Sequence, residues 1–168
     1  AEATPPKRTR IDDRVRAGLE SLLEGDARTR VLAILDLAGW HGAEVAKFPV
    51  STGLAVDELG PTLHDLETEV DLITGGRLFS AQVSADAEDR IVTAVRVAHS
   101  TDPLRPTISL AALRTALPDW AATGLPDATI ARLCDAEVLE AADGGVRLPG
   151  HVVALTPDQE LAAKEVHT

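Results

Sequence analysis

The chain has 168 residues, 45% of them hydrophobic, 26% charged and only 2% aromatic, with a formal charge of −11. Together with a mean hydropathy of +0.03, that length suits one large or two small globular domains with a buried core. No run approaches the roughly 18 apolar residues of a membrane span, the opening "AEATPPKRTR" lacks a signal peptide's apolar segment, and Cys134 has no second cysteine to pair with. A disulfide framework and a thiolate zinc set are therefore excluded, and a cytoplasmic location is expected.

Taken in order, "IDDRVRAGLESLLEGD" places Ile11, Val15, Leu19, Leu22 and Leu23 on one face of a leading helix that Gly25 stops. Asp26 is the expected N-cap of a second helix, with Val31, Ile34, Leu35 and Ala38 at i, i+3, i+4 and i+7 and an end near Gly39. "GAEVAKFPVSTGL" reads as a short helical piece interrupted by Pro49. In "VDELGPTLHDLETEV" the face Leu59, Leu63, Leu66, Val70 is helical, and either the helix starts at Pro61 or a turn precedes a kink there. "DLITGGRLFSA" then reads as a hairpin, Leu72 and Ile73 leading to the turn Gly75-Gly76 and on to Leu78 and Phe79.

The same device recurs downstream. From Ser84, expected as an N-cap, a helix presents Ile91, Val92, Val95 and Ala98 to the core; "DPLRPTIS" gives a short extended stretch; Ser109 caps "LAALRTAL"; and Pro126 opens "LPDATIARLCDAEVLEA". In "EAADGGVRLPGH" the glycine pair has none of the lysine and hydroxyl of a phosphate-binding P-loop, whereas Asp143-Gly144 suits a hairpin turn, with Val138 and Leu139 before it and Val146 and Leu148 after it at strand spacing. Helix, short strand, helix, helix, hairpin is the order of a winged helix. The expected fold class is mainly α with small β-hairpins (α+β), as tandem winged-helix domains.

The expected domains are a leading basic segment and helix over 1–25, one winged-helix module over 26–82, a second over 83–151, and the start of a third over 152–168. In the last, Thr156, Pro157 and Gln159 make a helix-opening signature. The chain begins with an alanine and stops soon after that signature, so it is expected to be part of a longer protein.

The chemistry is sparse. Neither Ser109 nor Cys134 sits in the setting of an activated nucleophile, the five histidines lack metal-ligand spacing, and the many carboxylates fall on helix surfaces and caps. No catalytic, cofactor-binding or metal residues are expected, and the chain is read as a non-enzyme. Winged helices often bind nucleic acid by inserting the third helix in a groove. Here that helix and its approaches carry Asp57, Glu58, Asp65, Glu67, Glu69 and Asp71 in the first copy and only Arg132 against Asp127 and Asp135 in the second. Phosphate contacts need cations, so groove insertion is disfavoured. Arg77 and Arg147, which follow the turn glycines of each hairpin, are the candidate nucleic-acid contacts, against a reading of both as solvated surface.

The run "LRPTISLAALRTALP" followed by "LCDAEVLEAADGGVRLPGHVVALTPDQE" resembles the C-terminal region of the SelB family, the bacterial selenocysteine-specific translation elongation factors. The resemblance rests mainly on residues 103 to 160, and more weakly on "STGLAVDEL" and "ITGGRLFSA". It implies tandem winged helices acting as a non-catalytic arm between a body that binds GTP, Mg and selenocysteyl-tRNA and terminal modules that read the insertion-element mRNA hairpin on the ribosome. Those cofactors and partners belong to the full-length protein; for this chain the resemblance implies no cofactor, no membrane and a monomer. Two alternatives remain: a winged-helix DNA-binding transcription regulator using the basic segment from Lys7 to Arg16, and a generic scaffold module.

Overall fold

The computed structural model describes residues 13–66, 70–73 and 76–151. Over these the chain is mainly helical with two small antiparallel sheets, and it divides into two compact units, the second made of the chain from Ala81 onward together with Ile73. The expected third module, and the basic residues Lys7, Arg8 and Arg10, lie outside the described residues.

The first unit opens with α1 (Asp13–Glu24) packed on α2 (Ala27–Ala38). Asp26 caps α2, its Oδ1 accepting from the Thr29 amide at 2.8 Å, and Gly39 ends it at φ 49°. The apolar periodicity of α1 marks its packed face only in part. Val15, Leu19 and Leu23 are exposed, whereas Gly18, Ser21 and Leu22 turn inward. The reason is close approach: a Cβ on Gly18 would stand 3.0 Å from the Leu37 side chain, so α1 packs through its smallest residue.

"GAEVAKFPVSTGL" is not one helical piece. It forms β1 (Ala43–Glu44), a 3-10 turn over Val45–Lys47, and α3 (Phe48–Thr52), with Pro49 at the start of the helix, where no amide donor is needed. Then α4 (Val56–His64) runs through Pro61 rather than starting there. The Glu58 carboxylate accepts from the Ala55 amide at 3.1 Å, which closes the first turn, and Pro61 lies on the exposed side. The hairpin follows as β2 (Val70–Ile73) and β3 (Arg77–Ser80). Its sheet has the order β1-β3-β2, β3 lying between the other two, with Ala43 opposite Leu78 and Glu44 opposite Arg77. Val31, Leu35, Phe48, Leu54, Leu59, Leu66 and Leu78 fill one continuous core.

In the second unit α5 (Ala81–Thr101) follows β3 with no intervening loop. Ser84 is therefore not a cap: it lies inside the helix, 2% exposed, with its hydroxyl unpartnered. The core stripe of α5 is Ala87, Ile91, Val95 and His99, a four-residue spacing that leaves Val92 and Ala98 half-buried. Next come β4 (Ile108–Ser109), α6 (Leu110–Arg114), whose cap Ser109 accepts from the Ala112 amide at 3.3 Å, and α7 (Leu125–Asp135).

The second hairpin is β5 (Glu140–Ala142) and β6 (Gly145–Arg147), again in the order β4-β6-β5. It starts later than the sequence predicts. Val138 and Leu139 are not paired in the strand, because both amides donate to the Leu133 carbonyl and finish α7, with Glu137 at φ 57° turning the chain. Both units thus share one succession of elements and one strand order.

Candidate nucleic-acid interface

On the winged-helix expectation, the elements that would meet a nucleic acid are α4, α7 and the two hairpins. In the first unit, α4 faces an open groove of about 650 Å³ whose lining includes Asp26, Asp57, Glu58, Leu54 and Pro61. Arg30 is the cation there, and it is occupied: its Nε donates to the Gly25 carbonyl at 2.8 Å and Nη1 to the Thr52 carbonyl at 3.3 Å. A phosphate entering this groove would meet three carboxylates and a guanidinium already bonded to backbone. In the second unit, Asp127 at the start of α7 takes both nitrogens of a fork from Arg114, each at 3.0 Å, and Arg132 reaches back to Glu88 at 2.8 Å. The α7 cation that could have served a phosphate is engaged within the unit.

Each hairpin arginine is likewise tied to a carboxylate across its own sheet. Arg77 donates through Nη2 to Glu44 at 2.7 Å and through Nη1 to the carbonyls of His41 at 2.9 Å and Gly42 at 3.2 Å. Lys47 holds the other oxygen of Glu44 at 2.7 Å. Arg147 forms a two-pronged pair with Glu140, both bonds 2.9 Å. The two pairings use different neighbours, Glu44 on the outer strand β1 and Glu140 on the outer strand β5, and in both the register sets glutamate opposite arginine.

Charge follows from the geometry. Lys47 first, and Arg77 after it, hold the Glu44 carboxyl below the ordinary carboxylate range; Arg147 does the same for Glu140, and Glu140 in turn raises Arg147. Since both carboxyl values are depressed, the pairs are complete above the ordinary value of 4.5 and are lost as pH falls through the lower folded values. Replacing both partners, Glu44→Gln with Glu140→Gln, is expected to release both arginines from their carboxylates, with Arg77 keeping its bonds to the His41 and Gly42 carbonyls, and to remove two negative charges. Titration of a duplex RNA across a salt series should then show tighter binding and a salt slope steeper by up to about two, near 0.9 per added phosphate contact. An unchanged slope would mean that neither arginine reaches a phosphate even when released.

The remaining reactive side chains take structural parts. Ser109 is a cap, and burial, with Asp135 adding, pushes the Cys134 thiol up and away from the thiolate. Among the described residues no three His, Cys, Asp or Glu side chains are placed to hold a metal, and no helix is long and apolar enough to cross a membrane. No family model and no curated protein matches the chain.

Sequence reasoning singled out Arg77 and Arg147 but not the glutamates that hold them. Glu140 was within reach of a register argument, had the hairpin been started two residues later. Glu44 was not, because β1 is a two-residue strand with no periodic signal. The structure also brings together His99 and His151, which looked dispersed in the sequence: their rings stack with centroids 3.7 Å apart and planes 5° from parallel.

Proposed function

We propose that this chain is a tandem winged-helix arm of a selenocysteine-specific elongation factor, without catalysis of its own, linking the GTP- and tRNA-binding body to the modules that read the mRNA hairpin. The observation that carries the proposal is the charge on the surfaces a winged helix offers to phosphate. The third helices are acidic, and Arg77, Arg147, Arg114 and Arg132 are each bonded to a carboxylate of their own unit. Such modules are suited to holding distance and orientation rather than to gripping a nucleic acid. The shared strand order of the two units supports the winged-helix reading, and the resemblance over residues 103 to 160 supports the family.

The test is a titration of a selenocysteine-insertion RNA hairpin at near-physiological salt, with this chain beside a longer one that carries the downstream modules. This chain is expected to bind no tighter than about 10⁻⁴ M, the weak end of non-specific binding, while the longer chain binds far more tightly. Submicromolar binding by this chain would overturn the spacer role. Tight binding to duplex DNA would instead favour the regulator.

A further inference from the structure

His99 occupies a position that packing alone does not explain. It lies in the last turns of α5, 6% exposed, in line with Ala87, Ile91 and Val95, and both of its ring nitrogens are without a hydrogen-bond partner. A leucine or phenylalanine would fill the same space without stranding two polar atoms in a largely apolar core. What covers the ring is a second histidine. His151, half-buried after β6, lies flat against it at 3.7 Å, and its Nε2 donates to the Arg105 carbonyl at 3.1 Å. The His151 amide donates to the Leu148 carbonyl at 3.1 Å, closing the turn that leaves β6. Three segments distant in sequence therefore meet at this stack: the end of α5, the connection to β4, and the exit from the hairpin.

We propose that the His99–His151 stack is a proton-operated clasp, holding the turn that leaves β6 against α5 while both rings are neutral and releasing it when they take up protons. Two imidazolium rings cannot lie face to face at this separation without strong repulsion, and a buried imidazolium with no acceptor is unfavourable in itself. Several charged groups on α5 and on the elements around it are engaged with other partners. Arg114 of α6 pairs with Asp127 of α7, Arg132 of α7 with Glu88, and Glu140 with Arg147 in the hairpin. Arg96 and Asp102 lie on either side of His99 in sequence, Asp135 acts on Cys134, and Arg105 contributes its carbonyl. His151 is the charged neighbour that bears on His99; burial first, and His151 second, hold the His99 ring below its ordinary 6.5. With the folded value depressed, the open state takes up protons first. The clasp is complete above about pH 6.5 and is lost as pH falls through the lower folded value.

The experiment follows the chain by NMR between pH 7.5 and 5, reading the imidazole titrations and the exchange protection of the His151 amide, corrected for intrinsic exchange. In the unaltered chain, His99 is expected to titrate below 6.5 and protection at His151 to fall by about tenfold per pH unit for each proton taken up. His151→Phe keeps an aromatic ring on His99 without a second charge, so the His99 midpoint should rise. His99→Phe should abolish the pH dependence at residue 151; should that variant not fold, the His151→Phe midpoint still decides. Protection independent of pH in the unaltered chain, a His99 midpoint unmoved by His151→Phe, or undiminished pH dependence in His99→Phe would each overturn the clasp.

Discussion

Alanine in place of Gly145 is expected to destabilise the second unit by about 3 kcal/mol, the upper range for forcing atoms into a closed-packed site. Gly145 stands opposite Ser109 in the β4-β6 pairing, and a Cβ there would fall directly on the carbonyl oxygen of Ile108. No flexible side chain can yield; the strand itself has to move. Its neighbour makes the contrast. Gly144 carries the left-handed turn at φ 76° with open space around it, so Gly144→Ala is expected to lose only about 1 kcal/mol, the backbone term alone. Urea denaturation followed by near-ultraviolet absorption would rank the two, and a Gly144→Ala variant less stable than Gly145→Ala would sink the argument. The two glycines of one turn thus have different physical reasons for being glycine.

Gly42→Ala is expected to be at least as damaging in the first unit, because there both reasons fall on one residue. At φ 65° and ψ 155° the backbone occupies a region that side chains other than glycine scarcely enter, a strain of about 1–3 kcal/mol. In addition, the new Cβ would stand 2.5 Å from the ring of Phe79, which is 1% exposed. Overpacking adds about 1–3 kcal/mol more. The terms separate in a second-site test. Phe79→Leu makes room for the methyl group but leaves the backbone strained, so the double variant should recover the steric share and no more. Full recovery would show that the backbone conformation carries no penalty, and no recovery that the ring was never in the way.

Much of the fold was legible because it depends on local rules. Asp26 and Ser109 are short polar side chains just before helical periodicity, and each accepts the amide three residues on. The Asp143-Gly144 turn and the repetition of helix, helix, hairpin needed only residue type and order. Errors arose where a neighbour outranked the local pattern. Ser84 has the profile of a cap, yet β3 passes straight into α5 and leaves it a turn inside the helix. Val138 has the profile of a strand residue, yet its amide completes the end of α7. Leu19 and Leu23 of α1 have the profile of a core face, yet both are exposed and Gly18 is what admits α2.

The candidate site divides in the same way. By itself the sequence determined its charge, since carboxylates on the third helices and scarce cations around them are matters of composition, and these alone disfavour groove insertion. Only the tertiary structure decided what the cations do. Whether Arg77 and Arg147 are open to a phosphate depends on which residue the pleat sets opposite them, and register decides that at a distance of under 3 Å. The same holds for His99 and His151, which are far apart in sequence and stack only once the fold lays one ring on the other. Sequence patterns report where a side chain points relative to its own element; what it touches is settled by the packing of elements against each other.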